Sequence, residues 1–156
     1  MAADERVLAF AVTANACLVI AMEGDELLYW VQLRESPNDT SKVRSYFRLL
    51  VACFEPAVLL HEDPGLRCRK HGKNLVLLQL LAQAAADESV RSMRMVRKHD
   101  YPDRYEEAVA LSERYPDFAR WLPETWSPAK RASRSMAYFE ALSYVCAYRQ
   151  HEAKRQ

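Results

Sequence analysis

Glycine is scarce in this 156-residue chain, with three residues, and proline stands at seven. That scarcity excludes a low-complexity or linker-rich polypeptide. Cys17, Cys53, Cys68 and Cys146 form no CxxC pair. Their scatter speaks against a disulfide framework and fits reduced, mostly buried thiols. His61, Cys68 and His71 lie close together, but they lack paired ligand spacing and a clear fourth member, which disfavours zinc. An excess of one charge is missing too: 22 basic against 21 acidic residues give a net charge of +1. A strongly basic surface is therefore excluded, and any anion-binding site must arise from local segregation of charge. Long apolar runs are absent as well. Val7–Met22 is broken by Thr13 and Asn15 and is preceded by Asp4 and Glu5 where an export signal carries positive charge. It is also too short and polar to span a membrane, so a cytoplasmic chain without a membrane partner is expected. The same stretch, Val7 through Met22, contains no acidic residue.

Half of the residues are hydrophobic, which suits a single domain over 1–156 with a sizeable core. Val7–Val12, Cys17–Met22 and Leu27–Leu33 read as three strands. Turn signals at Thr13-Ala14-Asn15 and Glu23-Gly24-Asp25 make them an antiparallel meander. Val43, Tyr46, Phe47, Leu50, Val51 and Phe54 recur at helical spacing, with Asp39, Thr40 or Ser41 as cap, and Pro56 ends that helix. Ala57–Leu60 is a short apolar strand. Asn74–Asp87 is a helix rich in Leu and Ala, and Val90–Val96 alternates as a fifth strand. Tyr101–Tyr115 is helical. Pro116, Pro123 and Pro128 break the next segment, which Trp121, Leu122 and Trp126 pin to the body. Arg131–Arg149 is the last helix, and a polar tail at about 150–156 is expected to fray. A helix between strands four and five favours parallel pairing there. The expected fold is α/β: a mixed five-stranded sheet with helices on both faces.

Several sequence words sharpen that order of elements. Leu59-Leu60-His61-Glu62-Asp63-Pro64 resembles the strand exit at which RuvC-like enzymes present a catalytic Glu. Phe139-Glu140-Ala141-Leu142 resembles their Asp-Ala-Leu on the final helix. Arg104-Tyr105-Glu106-Glu107-Ala108, Tyr115-Pro116 and Trp121-Leu122-Pro123 resemble an uncharacterised bacterial family of RuvC-like domains. The chain thus resembles the RNase H-like superfamily in its RuvC-like, Holliday-junction resolvase branch. The resemblance implies Glu62, Asp63 and Glu140 as catalytic positions, with Glu62 and Glu140 as ligands for magnesium. By analogy to resolvases it also implies a homodimer. Active members of the superfamily carry an Asp on the first strand, and this chain departs there, with Thr13 and Asn15 as the nearest polar groups.

That departure bears on chemistry. Two-metal phosphodiester cleavage needs several carboxylates around a pair of cations about 3.5–4 Å apart. Thr13 or Asn15 could offer an oxygen but would not offset the cation's charge. Glu140 is the only charged residue between Met136 and Tyr148. In a helix apolar nearly all round, such a carboxylate is paired, metal-bound or at an edge. The helical wheel tips it slightly toward an exposed stripe with Ser143 and Ala147. Glu62 and Asp63 follow a strand, where α/β sheets often bind ligands, but they also suit a solvated turn before Pro64.

Basic residues gather in three places. Arg67, Arg69, Lys70, His71 and Lys73 lead into a helix start, a combination suited to phosphate. The fifth strand adds Arg91, Arg94, Arg97 and Lys98; Lys130, Arg131 and Arg134 open the last helix. Each cluster alone reads as solvated loop charge. Together, Arg67, Arg69, Lys70, Lys73, Arg94, Lys130 and Arg131 outline a stripe that could hold nucleic acid, DNA with branches among the candidates. The leading expectation is a domain that binds structured nucleic acid with degenerate or absent nuclease activity. A magnesium-dependent endonuclease and a non-catalytic protein-interaction domain are the alternatives, since fold alone never settles function.

Overall fold

Alternation along the central strands decides the layers. In β1 (Arg6–Thr13) and β2 (Ala16–Glu23), consecutive residues point to opposite sides of the sheet, yet both sides are apolar. Val7, Ala9 and Ala11 enter one core; Leu8, Phe10 and Val12 enter the other. A strand buried on both faces carries no room for charge, and this accounts for the missing acids between Val7 and Met22.

The computed structural model describes residues 5–13, 16–33, 40–65, 67–96, 100–123 and 135–155. After β3 (Glu26–Leu33) the chain forms α1 (Thr40–Phe54), β4 (Val58–Glu62), α2 (Gly72–Ala86), β5 (Arg91–Met95), α3 (Arg104–Arg114), a 3-10 segment (Pro116–Trp121) and α4 (Met136–Arg155). The sheet order is β3-β2-β1-β4-β5. β1 pairs antiparallel with β2 from Arg6↔Glu23 to Thr13↔Ala16. β2 pairs antiparallel with β3, with a bulge at Ala21/Met22. β1–β4 and β4–β5 are parallel, starting at Val7↔Val58 and Val58↔Arg91. This is the expected mixed α/β sheet. The second parallel pair follows from the α2 crossover, which returns the chain to the same end of the sheet.

Helices cover both faces. α1 and α2 close the core of Leu8, Phe10, Val19 and Leu59, where Phe10 and Phe47 stack with centroids 4.4 Å apart. α3, the 3-10 segment and α4 close the core of Val7, Ile20, Leu60, Phe118, Phe139 and Leu142. Trp121 pins the 3-10 segment as expected, lying flat on Tyr138 at 3.7 Å and edge-on to Trp30 of the edge strand. Trp126 falls outside the described residues. α3 begins at Arg104, because the Asp103 side chain accepts from the Glu106 amide and caps it.

The expected polar tail is instead the last turns of α4, which runs to Arg155. Side-chain anchors explain this. Tyr148 donates to Glu5 at 2.9 Å, Arg149 donates to the Gly24 carbonyl and pairs with Asp25 at 3.3 Å, and Glu152 lies 3.6 Å from Arg91. Among the described residues no helix is long and apolar enough to cross a membrane.

Candidate functional site

Strand parity sets the site. On β4, Val58 and Leu60 face α4, so Glu62, two residues on, faces the same way at the carboxyl end of the strand. On parallel β1 the matching parity is Val7, Ala9, Ala11 and then Thr13. Thr13 lines a cleft with Arg104, Glu107, Met136 and Glu140. The odd-numbered face of β1, the even-numbered face of β4 and the start of α4 thus converge at one end of the sheet.

Glu62 and Glu140 meet there through a cation from the chain itself. Lys70 Nζ lies 2.5 Å from Glu62 Oε1, 3.1 Å from Glu140 Oε1 and 3.2 Å from Glu140 Oε2. All three side chains are largely buried, at 15% exposure for Lys70, 7% for Glu62 and 8% for Glu140. Burial pulls the Lys70 ammonium toward neutrality, but the Glu140 charge and the Glu62 hydrogen bond and charge outweigh it, so its pKa is raised above the usual lysine value. Glu140 therefore does not sit on an exposed stripe. The apolar residues around it face the α4 core, and Lys70 supplies the charge that makes burial tolerable.

Asp63 goes elsewhere. Its Oδ1 accepts from the Gly65 amide at 3.0 Å, closing a tight turn, and lies 3.9 Å from Arg94. Asp63 and Arg94 are 39% and 55% exposed, so their pair is worth about 1 kcal/mol or less. The structure brings Glu62, Glu140 and Lys70 together and leaves Asp63 outside the group.

The basic loop shows a two-residue rhythm after Gly65. Arg67, Arg69 and His71 are exposed; Cys68 and Lys70 turn inward. Cys68 packs against the α1–α2 core, and burial pushes its thiol pKa up. The Cys68 amide bonds the Gly65 carbonyl at 3.0 Å. Gly72 starts α2 with φ +60°, a left-handed conformation that glycine adopts without a Cβ clash. Lys73 is exposed just inside the helix. Arg67, Arg69, Lys73 and Arg94 thus present charge to solvent, whereas Lys70 is withdrawn. Lys130 and Arg131 lie outside the described residues.

Glu107 was not marked as a site residue by sequence reasoning. It is buried at 9% on α3 and lines the cleft with Glu140 and Thr13. A signal existed: Glu107 is one turn before buried Leu111 and adjacent to buried Ala108, so the wheel places it on the inner face.

The donor set does not fit a catalytic metal pair. Magnesium holds oxygen ligands at about 2.0–2.1 Å. A charged ammonium already occupies the space the Glu62 and Glu140 oxygens share, and it has no lone pair to offer a cation. Among the described residues no group of three or more His, Cys, Asp or Glu side chains is placed to hold a metal ion. Zinc fares no better: His61 is buried with Nδ1 2.9 Å from the Glu62 carbonyl, whereas His71 is exposed. All four cysteines are free thiols.

No protein-family model matches the chain, and no curated protein does. Solved structures do match. One is Thermus thermophilus RuvC in complex with a Holliday junction substrate, at TM-score 0.59 and 14% identity over 94% of this chain and 96% of that one. A second structure of Thermus thermophilus RuvC gives TM-score 0.55 at 14% identity, with the same coverage. The Fowlpox virus resolvase, solved with its substrate Holliday junction DNA, gives 0.52 at 10% identity over 92% of this chain and 98% of that one. Element order, sheet topology and near-complete mutual coverage agree: this chain has the RNase H-like fold in its RuvC-like form.

Proposed function

We propose that the protein binds structured nucleic acid without cleaving it. The observation that carries this reading is the ion triad: a lysine ammonium sits between Glu62 and Glu140 where hydrolysis would need cations held by acids. The first strand reinforces it, since β1 carries no carboxylate from Arg6 to Thr13. Around this closed centre, exposed Arg67, Arg69 and Lys73, with Arg94 on β5, supply charges suited to phosphate oxygens. Lys130 and Arg131 belong to the same proposal as further phosphate contacts. The likeness in fold to proteins solved with Holliday junction DNA favours a branched duplex as the ligand.

Titration of four-way junction DNA and of plain duplex at two salt concentrations tests the reading, with magnesium or manganese present and then chelated. Binding that weakens steeply with salt, stronger for the junction, and no cleavage under any condition is the expected result. Metal-dependent cleavage abolished by Glu62→Gln would replace it with an endonuclease. Absence of salt-sensitive binding to either DNA would leave a domain that uses the fold to contact protein.

A further inference from the structure

The ion triad ties together three parts of the chain that are far apart in sequence. Glu62 ends β4, Glu140 sits in the first turns of α4, and Lys70 belongs to the loop that displays Arg67 and Arg69. Among the described residues from Asp63 to Gly72, the other fastenings include the Asp63–Gly65 turn, the Asp63 amide bond to the Met95 carbonyl, the exposed Asp63–Arg94 pair, the Cys68–Gly65 backbone bond and the partial burial of Cys68. Lys70 is its buried charged anchor, bonding side chains on two different elements, whereas the Asp63–Arg94 pair is exposed. Arg67 and Arg69 flank it at odd positions and face solvent. They thus share a short stretch of chain with an inward, doubly bonded lysine.

We propose that Lys70 takes the place of a divalent cation between Glu62 and Glu140 and turns the acid pair into a clamp for the basic loop, so that nucleic-acid binding requires loop order but no metal. This rests on the nucleic-acid reading above for its consequence, though not for the clamp itself. Lys70 is a positioning residue in this scheme. The ammonium offsets part of the charge of two buried carboxylates, and the Lys70 backbone fixes the approach of Arg67 and Arg69 to phosphate. Because Nζ fills the space between the two carboxylates, neither magnesium nor a chelator should alter the loop.

Limited trypsin digestion, with cleavage after Arg67 and Arg69 followed by mass spectrometry, reads the clamp without nucleic acid. Wild-type protein should be cut slowly, at the same rate with magnesium or with chelator. Lys70→Met keeps the side chain's length and loses its charge; the loop should then be cut about tenfold faster or more. Lys70→Arg should restore protection at least in part, which a purely steric role would not do. Lys70→Ala vacates the space, and manganese should slow its digestion. Junction affinity should follow the same ranking. Equal protection in wild type and Lys70→Met overturns the clamp and leaves the nucleic-acid reading standing. Faster cutting of Lys70→Met, with no nucleic-acid binding by wild type, does the reverse. Should Lys70→Met fail to fold, wild-type protein decides alone: indifference of loop protection to magnesium and chelator supports the proposal, and protection that rises with magnesium overturns it.

Discussion

At the scale of single residues, the cost of breaking the triad is set by what remains behind. Removing the Lys70 charge takes the bonded ammonium away from two buried carboxylates, and breaking a buried ion pair in this way destabilises by about 3–5 kcal/mol. Urea denaturation of Lys70→Met against wild type should show a loss of that size. Glu62→Gln, which leaves one acid for one ammonium, should lose less. The same group sets an alkaline limit. Its pKa is higher folded than unfolded, so its stabilisation is complete below the ordinary lysine value and fades as pH rises through the higher folded value. Lys70→Met should lack that alkaline decline in the urea midpoint. His61 has the opposite sign. Burial, its largest influence, lowers its pKa below 6.5, and the neutral ring is the one the fold accepts. Stability from that group is present above 6.5 and lost as pH falls through the folded value. His61→Leu should flatten the acid side of the midpoint–pH curve below 6.5 relative to wild type. The sequence offered Glu62 and Glu140 through strand exit and helix word, and the two side chains meet at Lys70. It could not tell Asp63 from Glu62, because neighbouring strand residues differ in face and the face becomes known only once the core is assigned. Lys70 looked like one more loop cation for a related reason. The rhythm of exposed Arg67, Arg69 and His71 against inward Cys68 and Lys70 depends on where the loop lies against α4.

At the scale of elements, strands and helix order were legible because their periods are strong. Val7–Val12 and Cys17–Met22 are apolar on both faces, and α2 is rich in Leu and Ala. The end of α4 was not legible. Residues 150–155 are polar, and their helix is kept by Tyr148, Arg149 and Glu152 reaching Glu5, Gly24, Asp25 and Arg91, contacts set by tertiary structure. Arg149→Ala should therefore speed amide exchange in the last turns of α4 while the sheet is unaffected, as hydrogen-exchange mass spectrometry would read. α3 depends on its first turn. Asp103→Ala removes the cap and should cost about 1 kcal/mol in thermal or urea unfolding. In the α4 core, Leu142→Ala should cost about 2–5 kcal/mol, since the side chain is fully enclosed by the β1–α4 packing.

At the scale of the whole molecule, a net charge of +1 cannot steer a polyanion from a distance, so any attraction must be local to the exposed arginines and lysines beside the acid pair. Arg67→Ala and Arg69→Ala should each lower the slope of log affinity against log salt by about 1, with little change in folding stability, as fluorescence titration over a salt series would record. The sheet also fixes where evolution could work. Every β1 position from Val7 to Val12 is at most 1% exposed, and Thr13 is the first that reaches the cleft shared with Glu107 and Glu140. A new acidic side chain could therefore enter that cleft from β1 only at position 13, where Thr13→Asp would add charge beside Glu107 and Glu140. With Lys70 already shared by Glu62 and Glu140, such a change would disturb the charge balance of the pocket, so positions 13 and 70 constrain one another across a long stretch of sequence.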